Sequence, residues 1–224
     1  IVPLGMGMRE PSPVAGVASG ARQGIVPAIK EAFAYPSFRL LVAGYFVCGF
    51  QVVFIGVHMP SYLKDAGMNP EVASYALALI GLFNVFGTYA VGLMGQKYPK
   101  RYLLAGIYTL RGITIIIFLL APLTPVSVYV FSAVMGLLWL STVPPTNAIV
   151  AQIFGVQHFA MLGGFVFFSH QIGSFLGVWL GGIMYDIYGS YDPVWYLAIA
   201  LSVFATAMNL PIKESAIVRP VVVA

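Results

Sequence analysis

Six long apolar stretches fill the chain between Phe38 and Ile212, each separated from the next by a short polar break. An apolar run of 18 or more residues is typical of a transmembrane helix, because about 20 helical residues cross the hydrocarbon core of a bilayer. The sequence therefore predicts an all-α membrane protein with six transmembrane helices. The predicted spans are 38–62, 71–95, 102–121, 126–151, 159–184 and 193–212.

The composition agrees with this interpretation. Hydrophobic residues make up 60% of the chain and charged residues only 8%, whereas a soluble domain carries about 25% charged residues. The basic residues are spread over loops and form no basic face with interleaved aromatics, so a nucleic-acid partner is not predicted. The single Cys48 lies inside the first stretch, which argues against a disulfide framework or a thiol metal site. The sequence predicts no metal and no cofactor, and a lipid bilayer as surroundings.

The positive charges predict an orientation. Lys and Arg resist translocation and collect on the cytoplasmic side. Of the eleven Lys and Arg residues, Lys64 falls on one side of the predicted membrane, Arg111 lies within a span, and the other nine fall on the side of both termini. Those nine are Arg9, Arg22, Lys30, Arg39, Lys97, Lys100, Arg101, Lys213 and Arg219. We expect a multi-pass protein of the cell inner (cytoplasmic) membrane with both termini in the cytoplasm.

The segments outside the spans are a cytoplasmic linker, 1–37, and a cytoplasmic tail, 213–224. The linker is rich in Gly, Pro, Ser and Ala, with one short interfacial helix expected around Val26–Ala34. Residues 1–8 read either as the end of an earlier span or as an unstructured terminus. Because the chain begins with Ile1 and shows no charged leader, we interpret its start as internal.

Polar side chains deep in the spans are the candidates for function, because lipid offers them no partner. They either line a cavity or form hydrogen bonds between helices, and the sequence leaves both open. Arg111 is the only ionisable residue other than histidine in the middle of a span, so its partner is water, a carbonyl, a missing segment or an anionic ligand. The candidate solute-binding residues are Gln51, His58, Asn84, Arg111, Thr146, Asn147, His170 and Gln171.

Two further patterns concern helix shape and proton chemistry. Pro144 and Pro145 predict an interruption of the fourth span, and interrupted helices of transporters often border the binding site; a plain kink is the alternative. Glycines at every fourth position from Gly173 to Gly181 predict close helix packing. His170, beside this stripe, has a side chain suited to proton coupling, with a neutral, hydrogen-bonded histidine as the alternative. No catalytic motif is found, so an enzyme is not predicted.

The loop after the second span reads Gly-Leu-Met-Gly-Gln-Lys-Tyr-Pro-Lys-Arg over residues 92–101. It resembles the signature loop of the major facilitator superfamily, Gly-x-Leu-Ala-Asp-Arg-x-Gly-Arg-Lys. Gln96 stands where that signature has its aspartate, and Pro99 where it has its second glycine. The resemblance assigns a role in conformational change to Gly92, Gly95, Gln96, Lys97, Lys100 and Arg101.

Passages along nearly the whole chain resemble bacterial relatives of the monocarboxylate transporters within that superfamily: 48–51, 78–84, 169–173 and 179–182. The resemblance implies the C-terminal six-helix half of a twelve-helix fold, completed by an N-terminal half. It also implies that the first, second, fourth and fifth spans border the substrate cavity. Asn84 and Thr88 stand where the animal transporters have an aspartate and an arginine, so that proton site and that anion clamp do not carry over.

Three functions stay open at this stage. The first is secondary active transport of a small organic solute, favoured as a monocarboxylate-like anion, by alternating access with proton coupling. The second is efflux of lipophilic compounds, which the aromatic, weakly charged spans would suit. The third is a six-helix membrane scaffold without transport activity.

Overall fold

The computed structural model describes residues 23–217, which form eight helices and no strand. The prediction for residues 1–8 and the end of the tail, 218–224, lie outside this range. The short helix expected near residue 26 is present as α1. The helices are α1 (Ile25–Ala34), α2 (Pro36–Asp65), α3 (Pro70–Lys97), α4 (Lys100–Leu120), α5 (Pro125–Leu138), α6 (Val143–Phe154), α7 (Phe159–Tyr188) and α8 (Asp192–Asn209).

Five helical segments are long and apolar enough to cross a membrane. They are α2, α3, α4, the consecutive pair α5 and α6 taken as Pro125–Phe154, and α7. The sixth predicted span corresponds to α8, which has 18 residues and polar ends at Asp192 and Asn209. The predicted all-α membrane fold is confirmed.

Local sequence signals set the ends of the helices. Pro36, Pro70 and Pro125 open α2, α3 and α5, where the missing N–H costs nothing because the first turn has no intrahelical acceptor for it. Ahead of α5, Thr124 and Ser127 form a reciprocal capping box. At the other end of α7, Gly189 adopts a φ of 64°, a left-handed conformation that terminates a helix cheaply only when the residue is glycine.

Helices α2 and α7 share the most extensive contact between two helices of the described chain, and glycines let them approach closely. A Cβ added to Gly173 would collide with the carbonyl oxygen of Phe46, and one added to Gly177 with that of Phe50. From the opposite side, Gly49 lies against the carbonyl of His170. The predicted close packing of the glycine stripe is therefore confirmed, and it brings the backbones of α2 and α7 into direct contact.

The bundle interior consists of two apolar clusters with a polar layer between them. One cluster surrounds Trp195 and Phe54, and the other surrounds Phe38 and Phe154. Along α2, α4 and α8, the polar side chains of Gln51, Arg111 and Ser202 fall between residues of the two clusters. This arrangement places the polar layer near the middle of the bundle.

Candidate functional site

Arg111 lies at the centre of the polar layer with no exposed surface. Its Nε donates a hydrogen bond to the carbonyl oxygen of Leu138 over 3.2 Å, and its Nη2 donates to the same oxygen over 2.7 Å and to the carbonyl of Trp139. The guanidinium also lies over the ring of Tyr108, 5.5 Å from its centroid. The planar fork of arginine suits this geometry, because several of its N–H groups point at neighbouring acceptors at once.

The two carbonyls are available because the fourth predicted span is broken. Helix α5 ends at Leu138 and α6 begins at Val143, so the backbone between them lacks helical partners. Between α5 and α6, the N–H of Leu140 donates to Oδ1 of Asn84 over 3.0 Å. Thr88 Oγ1 donates to the same oxygen over 3.2 Å. Arg111 and Asn84 thus form hydrogen bonds with backbone groups that would have no partner in a bilayer.

The two prolines lie beyond the break, in the first turn of α6. Pro144 and Pro145 occupy positions where a helix has no use for a backbone N–H, so they begin a new helix without interrupting its hydrogen bonds. Pro145 is buried and Pro144 is half-buried. The predicted interruption is present, and the irregular backbone itself is residues 139–142.

Gln51 joins three helices through both ends of its amide. Its Oε1 accepts from Nη1 of Arg111 over 3.3 Å, and its Nε2 donates to the carbonyl of Ala198 over 2.9 Å and to Ser202 Oγ over 2.6 Å. The side chain is 1% exposed. The amide therefore cross-links α2, α4 and α8 in the middle of the bundle.

His170 lies on α7 at the edge of the same layer and is 8% exposed. Its Nδ1 is 3.2 Å from Oε1 of Gln171 and 3.4 Å from Oγ of Ser174. Its ring stacks against Phe167 and lies 5.2 Å from the ring of Tyr45, centroid to centroid. The next residue, Gln171, is exposed on the surface of the bundle.

The remaining candidates lie apart from this layer or at its margin. His58 is nearer the other end of α2, where its Nε2 is 2.9 Å from the carbonyl of Val178 and its ring packs beside Tyr191. On α6, Thr146 is buried and its hydroxyl has no hydrogen-bond partner among residues 23–217, whereas Asn147 is exposed. The structure thus brings Gln51 and Arg111 together, with His170 and Asn84 at neighbouring edges, and separates His58 from them.

The predicted conformational loop, residues 92–101, is mostly helical, because α3 runs to Lys97 and α4 begins at Lys100. Its later part is held by contacts with other segments of the described chain. Lys100 Nζ donates to Gln152 Oε1 over 3.0 Å and lies 3.8 Å from the Glu214 carboxylate. The Arg101 N–H donates to Glu214 Oε1 over 2.8 Å. The earlier part of the loop is open: Gln96 and Lys97 are exposed, and within the described chain no atom lies within 4 Å of a Cβ built on Gly92 or Gly95.

Sequence reasoning missed two members of the polar layer. Cys48 is not among the predicted site residues, yet its Sγ is 3.2 Å from Thr142 Oγ1 and 3.7 Å from Arg111 Nη2. Its position three residues before Gln51 places both on one helical face, and that spacing was the available signal. Ser202 lies in the last span and has no such spacing signal, so only the packing of α8 reveals it.

These features define a class of protein: a helical membrane bundle with a polar, interrupted layer at mid-depth. The sequence profile of the Major Facilitator Superfamily matches residues 6–161 and 41–221, so the chain belongs to that superfamily. The expected family is thereby confirmed.

Three named transporters are similar in sequence to parts of this chain. The chain is 26% identical over 158 residues to the uncharacterized MFS-type transporter YcxA of Bacillus subtilis, covering 68% of this chain and 38% of the relative. It is 25% identical to monocarboxylate transporter 13 of Rattus norvegicus, covering 63% of this chain and 33% of the relative. It is 22% identical to monocarboxylate transporter 12-B of Danio rerio, covering 83% and 40%. The chain therefore matches well under two thirds of the length of these relatives.

Proposed function

We propose that this chain is the C-terminal half of a secondary active transporter that moves a small organic anion, with monocarboxylates as the favoured class, by alternating access with proton coupling. The family match over residues 41–221 and the partial coverage of full-length relatives support the assignment to one half. The names of two relatives, both monocarboxylate transporters, support the substrate class. An enzymatic role has no support in this family membership.

The charge of Arg111 is the observation that favours an anionic solute. Among the described residues, its partners are backbone carbonyls, an amide, a thiol and an aromatic ring, and no carboxylate contacts it. The positive charge at mid-bundle is therefore compensated only by dipoles. A low-dielectric environment screens such a charge weakly, so it favours an anion in a neighbouring cavity even without direct contact.

The exposure of the candidate side chains separates those that contact the solute from those that stabilise the bundle. In a two-half transporter the solute lies between the halves, so polar side chains on the surface of one half reach it first. In this proposal Asn147 and Gln171 contact the solute, and His170, directly behind Gln171, carries the proton. Gln51, Asn84 and Arg111 instead hold the polar layer and the helix break in place. Thr146 and His58 stay secondary candidates.

The open part of the loop fits contact with the other half. Gly92 and Gly95 leave room for a close approach, and Gln96 and Lys97 are available for new hydrogen bonds. Lys100 and Arg101 anchor the loop to its own half. We place this loop and both termini in the cytoplasm, with the protein in the inner membrane, because the basic residues collect on that side.

The test is transport by the full-length protein in proteoliposomes. We expect uptake of a radiolabelled short-chain monocarboxylate to accelerate when the proton gradient is directed inward and to slow when a protonophore is added. Uptake that ignores the gradient would contradict proton coupling. Absence of monocarboxylate uptake together with extrusion of a lipophilic dye would favour efflux, and absence of both would favour the scaffold.

A pair of variants tests the solute contact. Gln171→Ala removes an exposed amide beside His170, and we expect it to raise KM about tenfold, the cost of one hydrogen bond to a charged group. Thr114→Ala is the matched control, because Thr114 lies on α4 and donates only to the carbonyl of Leu110 in its own helix. An equal KM in the two variants would remove Gln171 from the site.

A further inference from the structure

Helix α1 has an apolar face that the rest of the described chain leaves uncovered. Ile25 and Val26 are 62% and 61% exposed, and Phe33 is 39% exposed. Because successive helical residues are rotated by about 100°, these three side chains and the half-buried Ile29 fall within one arc of about 100°. They form the apolar face of α1. A contiguous apolar patch of this kind is typical of a surface that meets a membrane or another protein.

The adjoining side of α1 is packed on the bundle. Ala28 and Ala32, which are four residues apart and so lie on one side of the helix, are both buried. The inner edge of the Phe33 ring contacts the rings of Phe38 on α2 and Phe165 on α7 edge to face, with centroids 5.3 and 5.5 Å apart. The helix is therefore held by one side while its apolar face stays open.

Polar contacts ahead of α1 fix its rotation about its own axis. The carbonyl oxygen of Gln23 is 2.9 Å from Nε2 of His158 and accepts from Nε2 of Gln157 over 3.3 Å. The side chain of Gln23 in turn donates to Oε2 of Glu31 over 2.8 Å. Gln23 thus ties α1 both to the segment that precedes α7 and to its own last turn, so the apolar face keeps one direction.

The apolar face lies at the boundary of the membrane and is flanked by cations. Helix α1 ends at Ala34 and α2, the first helix able to cross a membrane, begins at Pro36, so one residue separates them. Lys30 on α1 and Arg39 in the first turns of α2 are exposed on either side of this joint. Among residues 23–217, no carboxylate forms an ion pair with either of them. Both cations are therefore available to a ligand outside the bundle.

A leaflet with anionic headgroups matches both the apolar face and the cations. A helix that lies in the plane of the interface buries its apolar side chains in hydrocarbon, while the long side chains of lysine and arginine reach the headgroups. A protein partner would have to supply an apolar groove and acidic groups at the same place. Residues 1–39 carry four basic and two acidic side chains, so the charge of the whole segment also complements a negative surface.

We infer that α1 is a membrane anchor that binds anionic phospholipids. Its apolar face inserts into the leaflet on the side of the chain termini, and Lys30 and Arg39 bind the phosphate groups of the lipids there. The anchor holds the start of α2 and, through Gln23 and Phe165, the start of α7 at a fixed depth. This inference needs only the membrane fold and does not rest on the proposed transport.

Electron paramagnetic resonance of the full-length protein in lipid nanodiscs tests the insertion. A nitroxide is attached to Val26→Cys on the apolar face and, as the matched control, to Pro27→Cys, which is exposed and lies about 100° further round the helix. Wild-type protein treated with the label is the blank, since Cys48 is buried. We expect the label at position 26 to collide more with oxygen, which dissolves in hydrocarbon, and the label at position 27 to collide more with a water-soluble nickel chelate.

The same measurement identifies the other possible occupants of the apolar face. Few collisions with either reagent at position 26 would mean that a protein surface covers it. More collisions with the nickel chelate than with oxygen would mean that water covers it. Either result would overturn the insertion of α1 into the leaflet.

A lipid titration tests the headgroup contacts. The mobility of the label at position 26 is followed as dioctanoyl phosphatidylglycerol is added to the protein in a neutral detergent, with dioctanoyl phosphatidylcholine as the uncharged match. We expect half-saturation at a lower concentration of the anionic lipid, and this preference should fall about fivefold for each of Lys30→Gln and Arg39→Gln. Lys64→Gln is the control, because it removes the same charge at the other end of α2.

Two results would overturn the headgroup assignment: equal titrations with the two lipids, or a preference that Lys64→Gln lowers as much as Lys30→Gln does. Neither measurement uses a transported solute. A protein that shows the expected label accessibility and lipid preference but transports no monocarboxylate would therefore refute the proposed function alone.

Discussion

Two membrane segments of equal length, α7 and the α5–α6 pair, satisfy their backbone hydrogen bonds in different ways. Each comprises 30 residues. Helix α7 runs unbroken from Phe159 to Tyr188, and glycines let it pack against α2. The α5–α6 segment stops at Leu138 and resumes at Val143, and polar side chains of neighbouring helices pair with the backbone between.

The difference shows which polar residues remain available for function. An unbroken helix satisfies its own backbone, so His170 and Gln171 of α7 are not needed for backbone pairing. At the break the backbone needs partners, and Arg111 and Asn84 supply them. Deep polar residues of similar appearance in the sequence therefore serve different purposes, and variants at the break and at the glycine contact of α7 test the two arrangements.

The largest effect is expected at Arg111. Arg111→Met leaves the carbonyls of Leu138 and Trp139 unpaired in a buried layer, and we expect the free energy of unfolding to fall by about 4 kcal/mol, at about 2 kcal/mol for each buried acceptor that loses its donor. Thermal unfolding in detergent measures it. Arg39→Met is the matched control, because Arg39 is exposed at the start of α2. Equal stability of the two variants would mean that the break does not depend on Arg111.

The second effect tests the glycine contact of α7. Gly173→Leu forces α2 and α7 apart, because an added Cβ meets the Phe46 backbone, and we expect a loss of about 3 kcal/mol in stability. Gly182→Leu on the same helix is the control, since within the described chain no atom lies within 4 Å of the added Cβ. Since leucine has the higher helix propensity, a comparable loss at Gly182 would mean that the penalty does not come from the contact of Gly173 with Phe46.

The smallest effect is expected at Asn84. Asn84→Ala removes the acceptor of the Leu140 N–H, and we expect a loss of about 1–2 kcal/mol, the usual cost of one buried unpaired donor. Thr88→Val removes only the hydroxyl that donates to Asn84, so its loss in stability should be smaller. Melting temperatures of both variants rank them. The reverse order would assign the bracing role to Thr88.

Much of the fold could be predicted, because a bilayer imposes simple rules on sequence. Length and apolarity revealed the helices, and the spacing of Gly173 and Gly177 revealed a packing face. The loop at residues 92–101 and the passage around His170 carried the resemblance that the family match confirms. Pro144 and Pro145 marked the interruption to within a few residues.

The candidate site was harder to predict, since hydrogen-bond partners come from distant parts of the chain. Sequence placed Arg111 deep in a span but left its partner open among water, carbonyl, missing segment and anion. The structure pairs it with carbonyls 27 and 28 residues away. Gln51 and Asn84 were equally ambiguous between lining and bracing, and Cys48 carried no signal beyond its spacing from Gln51.

The sequence by itself thus determined the membrane environment, the positions of the helices and the family. Hydrophobicity and helical period are local properties of the chain, so they can be recognised without knowing which helices pack together. Only the tertiary structure decided which deep polar groups are already paired. Pairing depends on which helices meet and at what height, and α2, α4 and the break converge on Cys48 and Arg111 only after the bundle has packed.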